Sequence, residues 1–310
     1  MTKRSLPLII PLVSLLLACA CGESRQTRLT RTRAQYMSQL RQDRAALKIG
    51  VLPTMDCLPL FIAHDDSLFS QTGSDIRLKM RNAQIDNDTA FIGGSLEGMV
   101  TDLKRLQQME RRGVGVVKAG DTNAYWQLFG NPKARIFETK QLGNKMVAMT
   151  RHSATDYLTD VALRGVKTSG DVFRVQFNDV QLRLRMLQNN EMDALWLTEP
   201  QATAARLMGA SVLFDSNKAG LHLGVVAFRK KACGEKARQK QLRDFVKAYN
   251  QAVDSINRHG VERYGRLIEK YCGSDQRTVK ALPRLRYKHI DPIFLNEKGR
   301  ERHGRNVFPQ

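Results

Sequence analysis

Apolar positions fall along this chain in short runs that switch between two periods. Residues 47–53, Leu-Lys-Ile-Gly-Val-Leu-Pro, form a compact apolar run closed by proline and predict a strand. Residues 57–69 then place Leu58, Phe61, Ile62, Leu68 and Phe69 at helical spacing, with Gly73 as the stop. Residues 75–82 alternate as a half-buried strand does. Strand, helix and strand in this order predict a parallel pair with its crossover helix on one face. A short helix before Gly93-Gly94 follows. Next come a strand over 98–101 with Asp102 at its tip, a helix to about Arg112 and a strand over 114–120.

The pattern then restarts. A strand is predicted over 145–150 and a helix over 153–165, with Ser153 as N-cap and Asp156 three residues on in a capping-box arrangement. A strand over 173–178, a helix ending at Asn189-Asn190, a strand over 194–197, Glu199-Pro200 before a further helix, and a strand over 211–216 complete the set. The segments AFIGGSLEGMVTD and RMLQNNEMDALWLTE share one plan, with a one-residue offset near the end. Each is a helix, a tight turn, an acidic residue, an apolar strand and a Thr-acid pair. This weak internal repeat predicts two similar α/β domains facing each other. Residues 222–229 predict a strand that returns the chain to the first domain, and helices run from about Gln239 to Cys272.

The N-terminus follows a different pattern. Lys3 and Arg4 precede thirteen mostly apolar residues, Leu6 to Ala18, broken by Pro7 and Pro11. A membrane-crossing helix needs about twenty apolar residues. This run is shorter and predicts a secretory signal peptide over 1–18. Leu16-Leu17-Ala18-Cys19 resembles a bacterial lipobox, which implies that Cys19 becomes the first mature residue and carries the lipids, palmitate among them. Cys21 is the rival position, with a poorer apolar approach; the alternative to both is an ordinary signal peptide with two incidental cysteines. Residues 19–46 then form a basic tether holding Arg25, Arg28, Arg31, Arg33, Arg41 and Arg44, which either rests on anionic headgroups or is simply solvated.

Net charge is +20 in 310 residues, which raises nucleic acid as a partner. The basic residues are spread along the chain, without zinc-ligand spacing or an aromatic-rich basic strand, and the expected partner set excludes nucleic acid. An export route permits disulfides. Cys233 and Cys272 each precede a glycine at the edges of the last helical region and are expected to pair. No two cysteines have metal-ligand spacing, so no metal and no cofactor is expected.

The stretches MDCLPLFIAHDDSLF, KQLGNKMVAMTRHSATDYL and RLRMLQNNEMDALWLTEPQATAARLMGASVLFDS resemble the periplasmic solute-binding proteins of the nitrate, taurine, aliphatic-sulfonate and thiamine-pyrimidine type. The Asp-Ala, Glu-Pro, Ala pattern over 193–204 is the most specific part, and the likeness covers roughly residues 47–290. It implies an α/β protein with a type 2 periplasmic-binding fold. Lobe 1 would hold residues 47–122 plus 223–310 and lobe 2 residues 123–222, with a ligand held in the cleft. It also implies delivery of that ligand to an ABC-importer permease by an extracytoplasmic, lipid-anchored monomer.

In open parallel sheets, ligands bind beyond the carboxyl ends of the strands. That rule selects Asp56 after the first strand, Asp102 after the third, Ser153 and Thr155 at the start of the 153–165 helix, and Glu199 after the 194–197 strand. Asp102 and Ser153 are also natural helix caps, and Asp56 can order its own turn. Trp126, in the presumed crossover, either stacks on a flat ligand or fills the hinge. Three carboxylates suit an amine or aminopyrimidine, whereas the free amides at Ser153 suit a sulfonate or carboxylate. The expected function is capture of a small organic molecule by hinge closure, without covalent chemistry. A sensor or other non-transport binding lipoprotein is the first alternative and a pyrimidine-metabolising enzyme the second. None of the common catalytic motifs is present.

Overall fold

The computed structural model describes residues 25–296. Residues 1–18, expected to form a signal peptide, and Cys19 and Cys21 lie outside the described residues. The described residues form two units, one ending at Ala46 and one beginning at Leu47. In the first unit, α1 (Arg25–Ala45) is a 21-residue helix within the stretch expected to form a tether. It contains neither Gly nor Pro and is rich in Arg and Gln, both good helix formers.

The second unit is built on two five-stranded sheets. The first holds β1 (Leu47–Val51), β2 (Ile76–Met80), β3 (Gly98–Asp102), β4 (Val116–Asp121) and β10 (Gly224–Arg229), in the order β2-β1-β3-β10-β4. The second holds β5 (Gln127–Gly130), β6 (Lys145–Met149), β7 (Val172–Gln176), β8 (Ala194–Leu197) and β9 (Ser211–Asp215), in the order β7-β6-β8-β5-β9. The two orders are the same plan used twice. In each, three parallel strands are followed by one antiparallel strand and a closing edge strand. In each, the antiparallel strand arrives across the junction between the sheets. β10 enters the first sheet after the whole of the second has been made, as the run over 222–229 predicted. β5, only four residues long, was not foreseen.

The helices lie where the apolar stripes put them. In the first lobe, α2 (Leu58–Asp65), α3 (Leu68–Gln71), α9 (Lys230–Gly234), α10 (Lys236–His259), α11 (Gly265–Cys272) and α12 (Gln276–Lys280) gather around one core. α4 (Gln84–Ile92) and α5 (Leu103–Arg111) contribute Phe91, Leu103, Leu106 and Met109 to a second core. That core continues through Leu128, Val147 and Trp196 of the other sheet. α6 (Ala154–Leu163) joins it, while α7 (Val180–Gln188) and α8 (Gln201–Leu207) cover the far side of the second sheet. Because both faces of these sheets are covered, β1, β3, β5 and β8 are buried at every position.

Two crossover segments join the sheets and pair with each other. The Thr122 amide donates to the Gly224 carbonyl at 2.9 Å, and Trp126 and Ser216 exchange bonds at 2.9 and 3.0 Å. A side chain at Gly224 would run into Thr122 Oγ1 and Ala124 Cβ, so glycine lets the two crossovers touch.

The expected Cys233–Cys272 disulfide is not formed: Cys272 is a free, buried thiol. The geometry explains why. Cys233 precedes the N-terminus of the 24-residue α10, whereas Cys272 ends α11 beyond its C-terminus. α9, which carries Cys233, packs on β10, β4 and α10. α11 packs instead on α2.

Candidate functional site

The carboxyl ends of both sheets converge on one small chamber of about 80 Å³, room for a few waters or one compact solute. From the first lobe come Thr54 and Asp56 after β1, Gln84 at the start of α4, and Thr101, Asp102 and Arg105 around the end of β3. From the second come Thr150, Ser153 and Thr155 after β6, Asn178 after β7, Thr198 after β8, and Arg183 from α7. Trp126 of the crossover closes one side. Five of the six residues selected from sequence, Asp56, Asp102, Ser153, Thr155 and Trp126, therefore line one cavity.

Glu199 is placed elsewhere. It is 2% exposed and is not among the chamber-lining residues. Its Oε2 accepts from the Thr203 amide at 3.0 Å and the Thr203 hydroxyl at 2.7 Å, and its Oε1 from Tyr125 at 2.9 Å and Arg206 at 2.5 Å. The Glu199 carboxylate thus pins α8 and the crossover, and Pro200, rather than Glu199, is the N-cap of α8.

Asp102 does cap its own helix: Oδ1 accepts from the Arg105 amide at 3.0 Å. The same oxygen reaches across the cleft to accept from the Ala154 amide at the start of α6, also at 3.0 Å. The Ser153 hydroxyl accepts from the Thr155 amide at 3.1 Å and donates to the Thr150 carbonyl at 2.6 Å. Two α6 amides expected to face a ligand anion are thus taken by the protein's own side chains. Asp156 accepts from the His152 amide at 2.9 Å, one residue ahead of the capping-box position.

The lobes meet at further points. The Met55 amide donates to the Glu199 carbonyl at 2.9 Å, and Gln201 Nε2 donates to the Pro53 carbonyl at 3.0 Å. Gln181 Nε2 donates to the Cys272 carbonyl at 2.5 Å. These bonds describe a closed cleft.

Two charged chamber residues escaped the sequence reading. Arg105 is buried between Asp88, with which it is paired, and Asp102 Oδ2, 3.3 Å from its Nε. Arg183 is 5% exposed and donates to the Phe177 carbonyl at 2.8 Å, the Trp196 carbonyl at 3.0 Å and Thr150 Oγ1 at 2.5 Å. No carboxylate touches the Arg183 guanidinium among the described residues. Burial, and then the like charge of Arg105, bring its pKa down to about 9, which still leaves it a cation at neutral pH. A signal was available. Val180, Arg183 and Leu187 share one buried helical stripe, as do Arg105, Leu106 and Met109. An arginine inside an apolar stripe marks a cation the fold has gone to some length to bury.

The carboxylates respond to burial as well. Burial raises the pKa of Asp56, with hydrogen bonds from Thr54 and Thr122 opposing it. Burial also raises Asp102, against the pull of Arg105. The chamber thus presents a carboxyl on one lobe and a guanidinium on the other, linked by hydroxyls and amides. No group of three or more metal-ligating side chains occurs among the described residues. No described helix is long and apolar enough to cross a membrane.

Two α/β lobes joined by paired crossovers and shut over a polar chamber define the periplasmic-binding-protein fold. The family model of the NMT1-like family matches residues 41–264, and the chain belongs to that family. Solved structures agree on the architecture. The alkanesulfonate-binding protein SsuA from Xanthomonas axonopodis pv. citri, bound to MOPS, is 17% identical, with 86% of this chain and 95% of that one covered at a TM-score of 0.65. The periplasmic nitrate-binding protein NrtA from Synechocystis PCC 6803 is 13% identical, with 76% and 68% covered and a TM-score of 0.62. The Candida albicans CA3427 product, described as having the generic periplasmic binding protein fold, is 13% identical, with 86% and 92% covered and a TM-score of 0.63. At these identities the likeness establishes the fold. No curated protein matches the chain.

Proposed function

We propose that this chain is an extracytoplasmic solute-binding lipoprotein that delivers a small organic molecule to an ABC-importer permease. One observation carries the reading: a buried, carboxylate-free Arg183 and a buried Asp56 line one chamber from opposite lobes. A buried cation without an anion in contact is costly. A sulfonate-like or carboxylate group on the ligand would supply the missing charge. An amino or heteroaromatic nitrogen would donate to Asp56. Binding would proceed by hinge closure at the paired crossovers, with lobe 1 taken as residues 47–122 plus 223–310 and lobe 2 as 123–222. The ligand then drives closure only through contacts made in the closed state and not in the open one.

The ligands after which two structural neighbours are named, an alkanesulfonate and nitrate, support an anion-accepting site. The lipobox at Cys19 supports a lipid anchor, which intact-mass measurement of wild type and Cys19→Ala would test. A monomer acting alone on its permease is the simplest assembly. The ligand test is a thermal-shift screen with sulfonates, taurine, amino acids and aminopyrimidines. A true ligand at a hundred times its Kd adds about 2.7 kcal/mol. Melting temperatures unmoved by every one of these compounds would remove the proposed ligand class.

A further inference from the structure

The inner chamber is not the end of the cleft. Arg105 and Thr150 line it and also line a second cavity of about 310 Å³ further out. Two helices give this outer cavity its walls at regular spacing. Ile85, Thr89 and Ile92 come from one face of α4; Arg105, Met109 and Arg112 come from one face of α5 and its C-terminal end. The opposite lobe contributes Arg151 and His152.

The composition of this cavity is unusual for solvent-facing surface. Ile85 and Ile92 are 41% and 38% exposed, seven residues apart on one helix, so they form an apolar wall about 10 Å long. The charged groups around it are mostly cationic. Asp88 is engaged by Arg105, and Asp156 by Arg174 and the His152 amide. Arg112 and Arg151 are exposed and face the same cavity from different lobes. Closure therefore brings like charges toward each other, and an anion lying between them would turn that repulsion into attraction.

We propose that the outer cavity is a second subsite for the distal part of an elongated ligand. Its hydrocarbon chain lies along Ile85, Ile92 and Met109, and a terminal anionic group sits between Arg112 and Arg151. The ligand class is then an organic dianion: one anionic end reaches Arg183 in the inner chamber, and the other reaches the outer arginine pair. This rests on the reading that the inner chamber holds the head group of a small organic solute.

Calorimetry on the mature protein tests it with straight-chain alkanesulfonates of two to eight carbons and the α,ω-disulfonates of the same lengths. The expected result is affinity that rises with chain length among the monosulfonates, with the longer disulfonates at least tenfold tighter than monosulfonates of equal length. Arg112→Gln combined with Arg151→Gln should erase that disulfonate preference. Retention of the preference in the double variant, or disulfonates no tighter than monosulfonates, overturns the subsite. If ethanesulfonate binds and chain length changes nothing, the subsite alone falls. If no member of the series binds, the inner-chamber reading fails and the subsite goes with it.

Discussion

Asp102 holds the cleft shut from the first lobe, and its removal should be measurable in the shape of the molecule. Its Oδ1 accepts two amide hydrogens, one from its own helix at Arg105 and one from Ala154 on the far side of the cleft. Asp102→Ala removes both. Loss of the N-cap costs about 1 kcal/mol of stability whether the cleft is open or closed. Loss of the bond to Ala154 acts only on the closed state. A hydrogen bond to a charged group is worth about 1.5–3 kcal/mol net, so the closed-to-open ratio should fall by roughly ten- to a hundredfold. Asp102→Asn isolates the charge from the two hydrogen bonds. The amide oxygen keeps the cap and the cross-cleft bond but forfeits the charge, so its shift should be about half as large. Small-angle scattering of the ligand-free protein reads the open population as an increase in radius of gyration, and a urea melt reads the cap. Identical scattering for wild type and Asp102→Ala would show that this bond does not set the closed state.

Other substitutions follow from the same contacts. Glu199→Gln places an amide donor where Thr203 and Arg206 need acceptors and should cost about 1–3 kcal/mol in a denaturant melt; weakened ligand binding with unchanged stability would instead put Glu199 in contact with the solute. Gly130→Ala drives a Cβ into the backbone carbonyl of Ile136 and should destabilise by about 1–3 kcal/mol, read from the denaturation midpoint; an unchanged midpoint would show that β5 can shift freely. Asp65 is raised by partial burial but lowered more by hydrogen bonds from Lys270, Tyr271 and His64, to about 2. Its folded pKa lies below the unfolded value near 3.9, so it contributes stability that is full above pH ~4 and is lost as pH falls through ~2. Asp65→Asn should flatten stability over that window, and an unaltered acid limb would refute the assignment.

Much of the fold could be read from the sequence because buried parallel strands are continuous apolar runs. β1, β3 and β8 announce themselves, and so do the helix caps at Asp102 and Ser153. β5 did not. Gln127-Leu128-Phe129-Gly130 is too short for a period, and it is buried at every position because it lies between two antiparallel neighbours. Its identity as a strand depends on partners nearly seventy and more than eighty residues away. The loop-tip rule picked Asp56, Asp102, Ser153 and Thr155, which line one cavity, because strand ends are local features; Trp126 lines it from the crossover. It assigned Glu199 to the ligand because sequence shows where a side chain starts but not which partners satisfy it. Arg105 and Arg183 were passed over because a strand-end rule does not reach side chains carried within a helix. The 21-residue α1 shows that a basic composition predicts exposure without excluding helical order.

The insertion of β10 between β3 and β4 has a consequence for how the protein is born. A chain emerging N-terminus first can assemble β5 through β9 as soon as residue 215 is out, since that sheet is contiguous. The first sheet must wait, because β3 and β4 do not pair with each other and β4 joins the sheet only through the late segment 224–229. The half synthesised first is therefore completed last, and its unfinished sheet edges stay open to wrong pairing in the interval.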